Sequence, residues 1–181
     1  MAEAEKSASN LARLSRAMAW LATIGVVLTP LGDAVVYLWP GTRSGLNLNA
    51  DHMDGLLSEA VPLPYRLGAL VFSLAAVTLT VWALWSLRGL FLHYARGAVF
   101  TPTALRLLNN VAVALFASVV ATFAMHAPIS LILSLGIHKP QISLDFGSGD
   151  LATLFTAGVV LVIARVMNEA GRIAEENAKF V

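Results

Sequence analysis

Long apolar runs separated by short polar and basic stretches dominate the 181-residue chain. Residues 67–87 (LGALVFSLAAVTLTVWALWSL) carry no ionisable side chain and lie between Arg66 and Arg88. At about 1.5 Å of helical rise per residue, such a run crosses a hydrocarbon core about 30 Å thick. Comparable runs begin after Arg16, after Thr101-Pro102 and near Asp150. The pattern predicts four membrane spans, at about 17–39, 65–88, 103–127 and 150–171, with the second helix continuing to 96 and the fourth to 177. Residues 1–12 are polar and rich in Ala and Ser, and read as a frayed cytoplasmic leader merging into the first helix. Four spans leave both termini on one side.

Two local signals refine this picture. Gly97 is a C-terminal stop for the second helix, and Thr101 is an N-cap followed by Pro102 at the first helical position, so helices two and three form a tight hairpin. After Pro128 the period changes: Ile129, Leu131, Leu133 and Leu135 alternate with Ser130, Ile132 and Ser134, and further on Ile142, Leu144 and Phe146 alternate with Gln141, Ser143 and Asp145. A period of two is the strand signature, and 136–140 supplies a turn. Leu46-Asn47-Leu48-Asn49 is a candidate third strand. The alternative is that 129–135 continues helix three beyond a kink at Pro128. The expected fold is an all-α integral membrane domain over 1–181, with four transmembrane helices, cytoplasmic termini and a small extracytoplasmic β-hairpin.

Composition agrees with a membrane class: 57% of residues are apolar, 13% are charged and the mean hydropathy is +0.74. The net charge of +1 gives no reason to expect direct nucleic-acid binding, but the placement of the charges is informative. Lys6, Arg13, Arg16, Arg88, Arg96, Arg106, Arg165, Arg172 and Lys179 fall on one side of the topology, against Arg43, Arg66 and Lys139 on the other. By the positive-inside rule both termini are cytoplasmic, and the expected location is a bacterial inner membrane, multi-pass. The first apolar run is longer than a signal-peptide core, and no small-x-small site follows Trp39, so an uncleaved helix is expected. The chain has no cysteine, which excludes disulfides, thiolate metal sites and cysteine nucleophiles. Walker A, GxGxxG, HExxH and GxSxG motifs are missing too. His52 with Asp51 and Asp54 is the most metal-like group, but its spacing is nonspecific. No catalytic, metal or cofactor residue is assigned.

Ionisable groups at membrane depth cost about 2.5–3.5 kcal/mol on insertion scales, so each needs a reading. Asp33 in helix one and Arg66 at the start of helix two approach the same outer boundary, as an ion pair, as independent snorkelling groups or on an ion pathway. His126 is the one histidine within a span; a lone intramembrane histidine cannot supply both axial ligands of a buried haem. At the inner boundary Asn109 and Asn110 should share a depth with Arg165, Asn168 and Glu169, as structural packing or as a seat for a lipid phosphate. Arg165, Glu169, Arg172 and Glu176 line one face of a helix that protrudes into the cytoplasm, either as a solvated tail or as a docking surface. Aromatic residues sit mostly at span ends and read as interfacial anchors, and small-residue runs permit close helix packing.

Two stretches, LRGLFLHYARGAVFTPTALRLL at 87–108 and ARVMNEAGRIAEENAKFV at 164–181, resemble a family of small bacterial membrane proteins, the domain of unknown function 2975. The carrying residues are Gly97, Phe100, Thr101, Glu175, Glu176, Asn177 and Val181, and ISLILSLG at 129–136 is similar to a segment before the family's fourth helix. Departures are Asn109-Asn110 and Ala178-Lys179. The resemblance implies four membrane helices, no assigned enzymatic activity, and genes beside small helix-turn-helix regulators. It makes Gly97, Phe100, Thr101, Arg172, Glu175, Glu176 and Val181 candidate partner-binding residues. Beyond the lipid bilayer, the expected partner is a cytoplasmic regulator that a non-enzymatic membrane protein tethers or signals to. The alternatives are an accessory subunit contacting other membrane subunits, or a small ion-coupled transporter using Asp33 and Arg66. No feature of the sequence sets the oligomeric state.

Overall fold

A computed structural model describes residues 2–39, 61–98, 101–138, 142 and 148–178. The described chain forms four helices: α1 (Ala2–Leu38), α2 (Leu63–Tyr94), α3 (Pro102–Gly136) and α4 (Ser148–Ala178). Each contains a stretch long and apolar enough to cross a membrane, namely Asn10–Leu38, Leu63–Tyr94, Pro102–Gly136 and Leu151–Ile173. Large apolar side chains on all four helices face outward, among them Trp20, Val71, Phe123 and Phe155, the last 72% exposed. A water-soluble fold would bury such surface, whereas lipid is its natural solvent. The chain is a multi-pass membrane protein. Residues 2–12, expected to fray, are part of α1.

The expected β-hairpin is overturned. No strand occurs among the described residues, and 129–135, read as its first strand, is the end of α3. Ile142 belongs to neither helix nor strand, while the rest of the second strand and the candidate strand at 46–49 lie outside the described residues. The physical reason lies in the serines. The alternation treated Ser130 and Ser134 as a polar face, yet both are fully buried, and their hydroxyls donate to the carbonyls of Ala127 (3.0 Å) and Leu131 (2.9 Å) in their own helix. Burial along this segment falls at 129, 130, 133, 134 and 136, with 131 and 135 exposed, which is helical spacing. Pro128 sits inside α3 rather than ending it, as membrane helices tolerate where nearby hydroxyls take up freed backbone groups.

Two compact units divide the chain, and every helix contributes to both: unit 1 holds Met1–Val26, Thr80–Phe116 and Phe155–Val181, and unit 2 holds Val27–Leu79 and Ala117–Leu154. The core of unit 2 gathers Tyr37, Val61, Ala69, Ile129 and Leu133, with Val36, Leu70, Met125, Ile132 and Ile137 packed against them. The interior of unit 1 is made mostly of small side chains: Ser15, Ala19, Ala22, Ala83, Ser86, Ala104, Ala112, Ala114, Ala157 and Ala164 are all buried, with Leu90, Leu105 and Val111 among them. Small residues let helix backbones approach closely where no hydrophobic drive acts between helices.

Leu133 is fully buried in unit 2, so Leu133→Ala is expected to cost about 2–5 kcal/mol, seen as a lower melting temperature in detergent. Ser130→Ala, at a site the strand reading made solvent-facing, is expected to cost only about 0.5–1.5 kcal/mol, because a small side chain still fits.

Candidate functional site

The turn between α2 and α3 is closed by backbone bonding. Ala98 N–H donates to the His93 carbonyl (3.1 Å) and Gly97 N–H to that of Tyr94 (3.0 Å), with Gly97 at φ +77°. This double bond pattern needs a left-handed residue, which glycine adopts without steric cost. Thr101 then caps α3: its Oγ1 accepts from Ala104 N–H at 3.3 Å, and Pro102 follows as the first helical residue. Both Gly97 and Thr101 therefore have structural duties. At the other end of unit 1's sequence, Gly171 of α4 lies against Leu105 of α3 so closely that an added Cβ would collide with the Leu105 side chain. Leu105 N–H donates to the Thr101 carbonyl, so the α4 end, the α3 start and the turn form one local assembly within unit 1.

The same unit contains a cavity of about 440 Å³ lined by Arg106, Asn109 and Asn110 of α3 and Arg165 and Asn168 of α4. The structure thus brings together the asparagines and Arg165 that sequence reasoning placed at one depth, and adds Arg106. Asn168 Nδ2 donates to the Ala164 carbonyl at 2.9 Å. Glu169 is not part of the lining: its carboxylate takes both Nε (3.2 Å) and Nη2 of Arg172 on the exposed face of α4. Arg172, a candidate partner-binding residue, is therefore paired within its own helix. Glu175 and Glu176 lie on the α4 backbone with side chains outside the described set, and Phe100 and Val181 lie outside the described residues.

Asp33, Arg66 and His126 belong to unit 2. Asp33 Oδ1 accepts from Ser73 Oγ at 2.7 Å, and Arg66 Nη1 donates to the Leu38 carbonyl at 3.4 Å. Arg66 Nε and His126 Nδ1 are buried with no hydrogen-bond partner among the described residues, and the His126 ring stands edge-on to Phe123 at 6.3 Å.

Among families of known proteins, one described as "Protein of unknown function (DUF2975)" matches residues 7–181. The chain belongs to the DUF2975 family. No curated protein and no solved structure matches it. The match carries the resemblance seen at 87–108 and 164–181 over nearly the whole of this DUF2975 chain.

One constellation of this DUF2975 protein escaped sequence reasoning. Arg88, counted only as a charge flanking a span, donates through Nε to Thr23 Oγ1 at 3.0 Å and lies 5.1 Å from the ring centroid of Trp85. Thr23 in turn donates to the Ala19 carbonyl at 2.8 Å, so a guanidinium of α2 is tied to the backbone of α1. The legible signal was a threonine inside an otherwise apolar run. Trp85, read as an interfacial anchor, doubles as a cation-π partner one turn before Arg88.

Arg88→Gln is expected to lose about 1–3 kcal/mol of stability. In a double-mutant cycle with Thr23→Val the two losses should be non-additive by about 0.5–3 kcal/mol, and strict additivity in thermal unfolding would refute the coupling.

Proposed function

We propose that this protein is a non-enzymatic membrane protein of the bacterial inner membrane, with both termini cytoplasmic, that tethers or signals to a small cytoplasmic helix-turn-helix regulator. The observation that carries this reading is the Gly171–Leu105 approach, which sets α4 against the start of α3, just after the α2–α3 turn. These are the two stretches whose residues resemble the family most specifically. Charge supports the orientation: Arg13, Arg16, Arg88, Arg96, Arg106, Arg165 and Arg172 all belong to unit 1, whereas Arg66 belongs to unit 2.

Because the chain has no cysteine, single-cysteine labelling reads the orientation directly. Ala98→Cys should react with an impermeant maleimide only in inverted vesicles, and His138→Cys only in right-side-out cells; the reverse pattern would overturn the topology. A photo-cross-linker on that Ala98→Cys variant, in native membranes, should capture a small soluble DNA-binding protein. Phe100→Ala, Glu175→Gln and Glu176→Gln should weaken the capture about tenfold or more while the helices stay folded. Full capture by all three variants would place the partner elsewhere.

A second reading, a small ion-coupled transporter, is favoured by one observation: unit 2 holds a carboxylate hydrogen-bonded to Ser73, with the buried Arg66 Nε and His126 Nδ1 in the same unit. It requires proton- or solute-dependent flux in proteoliposomes that collapses in Asp33→Asn.

A further inference from the structure

We propose that the cavity lined by Arg106, Asn109, Asn110, Arg165 and Asn168 binds a phosphate-bearing anion, a site that goes beyond the partner-docking role. Each of the five residues that line it carries a side-chain hydrogen-bond donor, set among their apolar stems. Arg106, Asn109 and Asn110 stand at i, i+3 and i+4 on α3, and Arg165 and Asn168 at i and i+3 on α4, so both helices turn one polar face toward the same space. Two arginines lining one cavity give it a positive potential that favours an anion. Among the described residues neither Arg106 nor Arg165 has a hydrogen bond or ion pair, and no carboxylate lines the cavity. Glu169, the nearest acid along α4, is held on both oxygens by Arg172.

The geometry favours phosphate over carboxylate. Guanidiniums from two helices with amide donors beside them offer more hydrogen bonds than one planar carboxylate readily accepts, whereas a tetrahedral phosphate presents more acceptor oxygens and more negative charge. The asparagine amides add donors: Asn168 uses one amide hydrogen on Ala164 and keeps the other, while neither Asn109 nor Asn110 has a side-chain hydrogen bond among the described residues. Arg106 is the fifth residue of α3, close to the positive end of that helix's dipole. A volume of about 440 Å³ exceeds what a single water needs and falls in the range of small-ligand sites. Both arginines are exposed, and each lies toward an end of its candidate span, where basic pockets between membrane helices take phosphate headgroups. The same chemistry accepts a lipid headgroup entering from the side or free phosphate entering from water.

The test uses the full-length protein in neutral detergent. Native mass spectrometry would follow adducts with dioleoylphosphatidic acid and with phosphatidylcholine, and calorimetry would follow binding of inorganic phosphate. The expected result is a one-to-one phosphatidic acid adduct, weakened about tenfold or more in Arg106→Gln/Arg165→Gln and in Asn109→Asp, and retained in Arg13→Gln, which removes an exposed arginine of α1 that does not line the cavity. Helical content by circular dichroism identifies variants that fold, and Asn109→Asp carries the test if the double variant does not. Phosphatidic acid binding alone makes the ligand a lipid headgroup, and inorganic phosphate binding lost in the same variants makes it a soluble phosphate; both support the site. Adducts unchanged in Asn109→Asp, or lost equally in Arg13→Gln, or no binding of either probe, would overturn it. None of these results bears on capture of a regulator at the α2–α3 turn.

Discussion

In hydrocarbon a peptide group has no water to bond, so a crossing segment must satisfy its own N–H and C=O groups and fold its polar side chains back onto itself. That constraint accounts for most of what this chain does with its serines, threonines and asparagines. Thr23, Thr78 and Thr122 each donate to the carbonyl four residues back, Ser130 and Ser134 to the carbonyl three back, and Asn168 to that of Ala164. Such bonds make a polar residue compatible with an apolar environment, and a hydroxyl or amide hydrogen used this way is not by itself a sign of a site. The same constraint makes α3 run through Pro128 to Gly136, because a strand pair at that depth would need a closed barrel to satisfy its edges.

Against that background, the polar groups that do not close on their own helix stand out. Ser73 reaches Asp33 across two helices of unit 2, and Arg88 reaches Thr23 across two helices of unit 1. Each such bond fixes the rotation of one helix against its neighbour more sharply than apolar contact does, since a slip of one residue would strand a buried polar atom at a cost of about 1–3 kcal/mol. The 106/109/110/165/168 group is different again, because its guanidiniums find no acceptor among the described residues. Bonds of the first kind organise the fold, and donors of the second kind wait for a ligand.

Packing obeys a related division. Large side chains such as Trp20, Val71 and Phe155 lie outward, while alanines and serines make up most of the interior of unit 1. Association of membrane helices depends on van der Waals contact, so the interior must be narrow, and at Gly171 it leaves no room for a Cβ beside the Leu105 side chain. It keeps the polar end of α4 beside the capped start of α3, next to a turn held by Gly97 and Thr101.

Sequence alone determined the four apolar helices, the stop at Gly97, the cap at Thr101, the family, and the grouping of Asn109, Asn110, Arg165 and Asn168, though not of Glu169. These rest on run length, local turn chemistry and helical rise, all of which are properties of neighbours in the chain. It misassigned 129–135, because a serine looks polar in a string and only its surroundings reveal that its hydroxyl is spent on a backbone carbonyl. Tertiary structure alone decided that Asp33 meets Ser73 and Arg66 meets the Leu38 carbonyl, that Arg88 binds Thr23, and that Arg106 joins Arg165 around a cavity Glu169 does not neutralise. Those outcomes depend on the rotation of each helix about its axis. In spans apolar on nearly every side, periodicity does not encode that rotation, and only interhelical contact sets it.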